Sequence, residues 1–254
     1  VVLHGTDTMA YTASMVSFMI KNPPVPVVFT GSQVPISMPL TDGVFNLVSA
    51  FTMAMSGKPG IFVAFDRKII LGCRAVKVRT TGFSAFESVN YPPVGVINSS
   101  GLNIHDEYLI KYDGAPELDT DIDTSVFLLK LTPGMSPALI PEIFHLYDCV
   151  IVESFGVGGI PQRLMDAFAE GLGDYDQTHK ILILTTQVTY EGSDVGIYEV
   201  GKRVKNRFRF LEAHDMTIEA VITKVMWLLA QNCENFDQLQ QRFYRQINFD
   251  TFYH

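Results

Sequence analysis

The stretch VVLHGTDTMAYTASMVSFMIKNPPVPVVF, residues 1–29, holds the pattern that decides the fold. A β-branched run at 1–3 is followed by the polar residues 4–8, and a stretch typical of a helix begins near Met9. A second apolar run at 25–29 closes the unit. Short, almost continuous apolar runs of this kind are typical of strands buried on both faces. The stretch therefore predicts strand, helix and strand.

The same alternation continues to the end of the chain. Further strands are predicted at 61–65, 68–71, 94–97, 126–131, 149–152, 181–184 and 208–211. Residues 218–229 keep the apolar spacing of a helix with one buried stripe, and Asn235 with Gln238 predicts a capping box for a last helix. Alternating strands and helices predict an α/β fold of mainly parallel sheets with helices on both faces.

Composition narrows the class of protein. The chain has 254 residues, of which 47% are hydrophobic and 18% charged, as in globular proteins. Nineteen basic and twenty-seven acidic residues give a net charge of −8, which argues against a nucleic-acid partner. The most apolar helical stretch, 218–229, contains Glu219 and Lys224, so we expect no membrane-spanning segment.

The cysteines and the first residues bear on location and completeness. Cys73, Cys149 and Cys233 are an odd number at wide spacings, which favours a reduced, cytoplasmic protein. The chain opens on Val1 without a basic or apolar leader, and its start resembles the middle of a strand. We expect an N-terminal piece to be missing.

An acidic stretch without a clear period, 105–124, predicts a connection between two domains. The expected division is an N-terminal domain at 1–106, a linker at 107–124 and a smaller C-terminal domain at 125–254. Asp119, Asp121 and Asp123 alternate as in a calcium loop. However, Thr124 and Lys130 stand where that loop needs glycine and glutamate, so a solvated linker is favoured.

The densest polar cluster, HGTDT at 4–8, directly follows the first predicted strand. In a parallel sheet, ligands gather at the carboxyl ends of strands, which makes Thr6 and Asp7 candidate site residues. A hydroxyl beside a carboxylate suits nucleophilic or proton-transfer chemistry. Threonine and aspartate also cap helices, and spacing alone leaves both interpretations open.

Two more clusters have similar alternatives. TGSQVP at 30–35, with Ser32, follows the second predicted strand, and TDG at 41–43 precedes a helix. A capped helix after a glycine-containing loop would explain both. In the run CRAVKVR at 73–79, Lys77 is a candidate proton donor, although most lysines are solvated surface charges.

Several known site patterns do not fit. The turn FGVGG at 155–159 has Pro161 where a dinucleotide fingerprint needs its third glycine, so a tight turn before a helix is favoured. The chain contains no G-x-S-x-G, Walker or H-E-x-x-H motif. Its six histidines are scattered, which gives no support to a zinc site or a Ser-His-Asp hydrolase.

Taken in order, the clusters resemble one family. HGTDTMAYTAS, VVFTGSQVPISMPLTDGVFN and AVKVRTTGFSAFES, with SFGVGGIPQ and HDMTIEAVITK further on, closely resemble the L-asparaginases, and specifically their bacterial, cytoplasmic type I branch. The resemblance implies a two-domain α/β enzyme that hydrolyses L-asparagine without metal or organic cofactor, as a homodimer or homotetramer. It also implies that Thr6, Asp7 and Lys77 form the family's Thr-Asp-Lys trio. Thr6, Asp7 and Ser32 would line the substrate pocket.

One family motif is not found. The family's other threonine, generally taken as the nucleophile, lies in a T-G-G-T-I motif, and these 254 residues contain none. We therefore expect the chain as given to lack that threonine and to be inactive alone. Two alternatives stay open: the amidase subunit of an archaeal glutamyl-tRNA amidotransferase, and a noncatalytic homologue that binds an amino acid.

Overall fold

The computed structural model describes residues 1–197, 204 and 207–253. The chain forms two compact units, Val1–Thr120 with Ile247–Asp250, and Asp121–Gln246 with Thr251–His254. Within the predicted linker, Glu117–Leu118 pairs with Ile20–Lys21 and so belongs to the first unit. The domain limits drawn from the sequence stay a prediction.

The first unit contains two α-helices and ten strands. The helices are α1 (Met9–Met19) and α2 (Gly43–Met55). The strands are β1 (Val2–Leu3), β2 (Ile20–Lys21), β3 (Pro26–Thr30), β4 (Gly60–Phe65), β5 (Lys68–Leu71), β6 (Ala75–Lys77), β7 (Phe86–Ser88), β8 (Gly95–Asn98), β9 (Gly101–Ile104) and β10 (Glu117–Leu118). Single 3-10 turns lie at Gly72–Arg74 and Asp106–Tyr108.

The main sheet of this unit has the strand order β1-β3-β4-β5-β8-β9. Strands β1, β3 and β4 are parallel, with Leu3 opposite Thr30 and Phe29 opposite Val63. Strands β6 and β7 form a separate antiparallel pair. The predicted α/β class is confirmed, and α1 and α2 lie on opposite faces of the parallel part.

The rest of this sheet adds antiparallel strands to the parallel part. Strands β4, β5, β8 and β9 pair antiparallel. Only Asp66 and Arg67 connect β4 to β5, and both have positive φ, 42° and 66°. A two-residue turn of that geometry reverses the chain at once and leaves no room for a crossover helix.

Strand β4 shows why the apolar runs are buried on both faces. Its Ile61, Val63 and Phe65 pack with residues of α1, whereas Phe62 and Ala64 pack with residues of α2. Alternate side chains of a strand point to opposite faces, so a helix on each face requires an unbroken apolar run.

The second unit is built on a parallel sheet in the order β11-β12-β13-β14. Its strands are β11 (Val126–Lys130), β12 (Cys149–Ser154), β13 (Ile181–Thr186) and β14 (Leu211–Glu212). Its helices, within the described residues, are α3 (Leu139–Leu146), α4 (Met165–Leu172), α5 (Tyr175–Thr178), α6 (Ile218–Leu229) and α7 (Phe236–Tyr244). A 3-10 turn lies at Gln162–Leu164.

Two local predictions in this unit have different outcomes. The strand predicted at 208–211 is displaced, because Phe208 and Phe210 pack against the core as irregular chain and β14 begins only at Leu211. The Asn235 cap is observed, since Asn235 Oδ1 accepts the Gln238 backbone N–H, but the return bond of the predicted capping box is shifted: Gln238 Oε1 accepts the N–H of Glu234, the residue before the cap. Among the described residues, no helix is both long and apolar enough to cross a bilayer.

Candidate active site

The loop after β1 lies directly beside the loop after β3. His4 donates its backbone N–H to the Thr30 carbonyl oxygen (2.9 Å). A Cβ atom at Gly31 would lie 2.3 Å from the His4 carbonyl oxygen, so only glycine permits this approach. Because parallel strands end at the same edge, the polar clusters 4–8 and 30–35 meet there.

Lys77 brings a cation to the loop after β1. Its Nζ donates to Thr6 Oγ1 (2.9 Å) and to Asp7 Oδ1 (2.7 Å), although 70 residues separate Asp7 from Lys77. Lys77 is the last residue of β6, which pairs with β7 outside the main sheet. The three residues that the resemblance groups together are thus in direct contact.

Thr6 and Asp7 do not cap a helix. The residue at the N-cap of α1 is Thr8, and its side chain makes no capping hydrogen bond. The Thr6 hydroxyl and the Asp7 carboxylate bond to Lys77 instead. The plain helix-cap explanation, which spacing alone left open, therefore does not account for these two side chains.

The ion pair is unevenly exposed. The Lys77 side chain is 19% exposed, whereas that of Asp7 is 94% exposed. The hydrogen bond from Lys77, followed by the attraction of its positive charge, holds the pKa of the Asp7 carboxyl below its ordinary value. A carboxylate that is ionised and open to water can hold the lysine and still meet a cationic group of a ligand.

His4 fastens the same loop to α1. Its Nδ1 lies 2.7 Å from the Gly5 carbonyl oxygen, which can only accept, so Nδ1 donates. Its Nε2 lies 2.9 Å from Thr12 Oγ1 in α1. Nothing in the local pattern around His4 marks this role, because it depends on the ring's position between loop and helix.

Ser32 lies in a cavity of about 410 Å³ whose walls include Leu3, His4, Gly5 and Ile36. It packs against the start of α2, where a Cβ at Gly43 would come within 3.2 Å of Ser32 Cβ. The cavity walls do not include Thr6, Asp7 or Lys77. The structure thus brings the trio together and places Ser32 in the adjoining cavity, without a direct hydrogen bond between them in the described chain.

Asp42 and Gln33 lie beside the candidate site. The sequence patterns around them predict only a capped helix. Asp42 stands at the N-cap of α2, but its carboxylate makes no capping bond and accepts the backbone N–H groups of Gln33 and Val34 (3.0 Å each). Thr41 Oγ1 accepts the N–H of Gly43 instead. The helix start and the loop after β3 are therefore tied together.

The other two basic residues of the run 73–79, Arg74 and Arg79, form hydrogen bonds that do not involve the loop after β1. Arg74 is fully buried, donates from Nε to the Phe249 carbonyl oxygen (2.6 Å) and lies over the Tyr91 ring. Arg79 donates to the Ser84 carbonyl oxygen and to Glu87 Oε1. Lys77 is the member of this run that reaches the loop after β1.

The glycine-rich stretch at 155–159 forms a tight turn before a helical segment, which is the interpretation that its sequence favours. Gly156, Gly158 and Gly159 all have positive φ, and Pro161 directly precedes the 3-10 turn Gln162–Leu164. In the part of the chain that the structure describes, no three His, Cys, Asp or Glu side chains are close enough to hold a metal ion.

Two family models together match most of the chain. "Asparaginase, N-terminal" matches residues 1–109, and "Glutaminase/Asparaginase C-terminal domain" matches residues 125–243. The chain belongs to the asparaginase family. The Thr6–Asp7–Lys77 contact and the Ser32 cavity thus lie in the family's N-terminal domain.

Family members differ in how closely they match. An L-asparaginase of Thermococcus kodakarensis is 40% identical over 252 residues, which are 95% of this chain and 73% of that protein. The solved structure of the thermostable L-asparaginase from this archaeon superposes with a TM-score of 0.91 at 39% identity, covering 98% of this chain and 74% of that one. L-asparaginase 1 of Escherichia coli is 31% identical, covering 92% of this chain and 69% of that protein.

A relative with another activity matches less well. A glutamyl-tRNA(Gln) amidotransferase component of Methanobrevibacter smithii is 30% identical, covering 91% of this chain but 54% of that protein. Both names occur among the chain's relatives, and the L-asparaginases of Thermococcus kodakarensis and Escherichia coli are covered over a larger share of their own length.

Proposed function

We propose that this protein is an amidohydrolase that converts L-asparagine and water to L-aspartate and ammonia. The observation that carries the proposal is the position of the Lys77 ammonium, 2.9 Å from the Thr6 hydroxyl and 2.7 Å from the Asp7 carboxylate. Similarity to L-asparaginases over 92–95% of the chain supports the substrate.

The roles follow from the chemistry of amide hydrolysis, which needs an activated oxygen nucleophile and a proton for the departing ammonia. Lys77, when neutral, accepts the proton of the Thr6 hydroxyl or of a water held by it, and later returns that proton to the leaving nitrogen. Asp7 holds Lys77 in place and offers its exposed oxygen to the substrate's α-ammonium group. Ser32 contributes to the substrate pocket.

These 254 residues contain no T-G-G-T-I motif, so the roles proposed here are those of the Thr-Asp-Lys trio. Activity is to be measured on the full-length protein. We assign the Thr-Asp-Lys role to Thr6, Asp7 and Lys77. The type I branch, the cytoplasmic location and a homodimer or homotetramer are proposed on the resemblance alone.

The second candidate function is the amidase subunit of a glutamyl-tRNA amidotransferase, for which the 30% identity to the Methanobrevibacter smithii protein is the supporting observation. The two functions differ in what activates ammonia release. An asparaginase releases ammonia from free asparagine without tRNA, whereas an amidotransferase subunit delivers ammonia to a partner that holds charged tRNA.

The test is steady-state ammonia release by the purified full-length enzyme, with L-asparagine and L-glutamine supplied in parallel. We expect turnover on asparagine alone, at the rates of about 1–10³ per second that are typical of enzymes. Turnover only after addition of glutamyl-tRNA and a partner subunit would favour the second function. Binding of asparagine without turnover in the full-length protein would favour a noncatalytic homologue.

A further inference from the structure

The side chain of Gln33 joins two loops of the candidate site. Gln33 follows Ser32 in the loop after β3, and its Nε2 donates to the carbonyl oxygens of Thr80 (2.9 Å) and Gly82 (3.3 Å). These two carbonyls lie 47 and 49 residues away, in the turn that connects β6 to β7. Since Lys77 ends β6, Gln33 holds the chain three residues beyond the catalytic lysine.

Gln33 is itself held firmly. Its backbone N–H donates to both oxygens of the Asp42 carboxylate at 3.0 Å. The same carboxylate accepts the side-chain amide of Asn46 (3.0 Å), whose Nδ2 also donates to the Gly31 carbonyl oxygen. Hydrogen bonds to a carboxylate are stronger than those between neutral groups. The backbone of Gln33 is therefore anchored to the N-terminus of α2, where Asp42 lies.

The turn that Gln33 reaches is anchored at its base, where Ala85 and Phe86 are buried in the core beside Phe65. Among the described residues, few other hydrogen bonds join its tip to the rest of the first unit. Arg79 bonds to the Ser84 carbonyl and to Glu87, which belong to the same hairpin. Backbone bonds from Val78 and Arg79 to the Ala85 carbonyl also stay within it. A longer contact, Lys68 Nζ to Ser84 Oγ at 3.4 Å, joins the turn to β5. The Gln33 amide provides the shorter bond across the two loops.

We propose that Gln33 is a positioning residue for Lys77: by bridging the loop after β3 to the turn after β6, it sets where the lysine ammonium stands relative to Thr6 and Asp7. The inference rests on the proposed function. Catalytic groups lose efficiency when displaced by a fraction of an ångström, and the Gln33 bridge acts three residues from the group that it places.

The decisive variant is Gln33→Met, which keeps the length of the side chain and removes both N–H donors. Gln33→Glu is the second variant: it has nearly the same shape, but its oxygens would face two carbonyl oxygens that need donors. Gln241→Met is the matched control, because Gln241 is exposed on α7 and makes no side-chain hydrogen bond within the described residues.

The first readout does not depend on asparagine turnover. The pKa of the Asp7 carboxyl, measured by NMR titration, reports the Lys77 position because Lys77 is the main cause of its lowered value. In Gln33→Met we expect that pKa to rise toward its ordinary value, because a displaced Lys77 lowers it less. In Gln241→Met we expect no change.

The second readout is kinetic, in the full-length enzyme. Gln33→Met is expected to lower kcat by about tenfold or more with a smaller change in KM, because the lysine is displaced while the pocket around Ser32 remains. Gln33→Glu is expected to lose at least as much. Circular dichroism serves to show that each variant is folded.

The outcomes separate the two proposals. An unchanged Asp7 pKa in a folded Gln33→Met variant would overturn the positioning role, whatever the activity. A risen pKa in a protein that never hydrolyses asparagine would support the positioning role while the proposed function fails. If Gln33→Met does not fold, the same pKa criterion applies to Gln33→Leu, which also removes the donors and adds no charge near Asp7. Loss of folding in both Gln33→Met and Gln33→Leu would show that Gln33 is needed for the fold itself and would overturn the specific role.

Discussion

Replacing Thr6 by valine removes one oxygen and leaves the shape of the side chain almost unchanged. The hydroxyl accepts one hydrogen bond, from Lys77 Nζ at 2.9 Å, and it caps no helix. A hydrogen bond to a charged group contributes about 1.5–3 kcal/mol. Because Lys77 keeps its 2.7 Å contact with Asp7 and remains partly exposed, we expect a net cost of about 1 kcal/mol. That corresponds to a fall in Tm of about 2–4 °C.

The expected loss of activity is far larger. If Thr6, Asp7 and Lys77 act as one catalytic unit, removal of one member lowers turnover by about a thousandfold or more. The assay is ammonia release from L-asparagine by full-length Thr6→Val and wild-type enzymes, with Tm measured on the same samples. A folded variant that retains turnover within about tenfold of wild type would refute the catalytic role of Thr6.

Three further predictions concern other parts of the molecule. Lys77→Met should raise the pKa of the Asp7 carboxyl toward its ordinary value, since Lys77 is the main cause of the lowered one; an unchanged NMR titration would show that the contact does not form in solution. Burial raises the pKa of Glu219 from 4.5 to about 7, so across that pH window the unfolded chain loses a proton that the folded chain keeps. Stability should therefore fall by up to about 3 kcal/mol as pH rises from about 4.5 to about 7, and Glu219→Gln should flatten that slope in denaturant titrations; an equal slope in both proteins would contradict the burial argument. Gly31→Ala should destabilise the fold by about 1–3 kcal/mol, because its Cβ would lie 2.3 Å from the His4 carbonyl oxygen; an unaltered Tm would mean that the two loops separate freely.

The position of the strand-end loops could be predicted from the sequence, because it follows from local periodicity. Parallel strands β1 and β3 end together, so the clusters after Leu3 and after Thr30 had to meet. The reversal between β4 and β5 was missed, although only Asp66 and Arg67 separate the two apolar runs. Neither residue is glycine or asparagine, which are the usual signals of such a turn.

The contact of Lys77 could not be predicted from its surroundings in the chain. A lysine at the end of a short strand has no local mark of function, and its partner is fixed by where the β6–β7 hairpin lies. Only the motif resemblance grouped Lys77 with Thr6 and Asp7. Asp42 shows the converse case: its position before α2 suggests a cap, yet tertiary geometry directs its carboxylate to Gln33 and Val34.

The central claim is that Thr6 and Lys77 work as a unit in asparagine hydrolysis. The most direct test is a double-mutant cycle on kcat in the full-length enzyme, with Thr6→Val, Lys77→Met and the variant that carries both. The proposed mechanism predicts that each single substitution costs several orders of magnitude and that the double variant is about as slow as the slower single variant. Losses that multiply in the double variant, or either folded single variant with turnover near wild type, would contradict it.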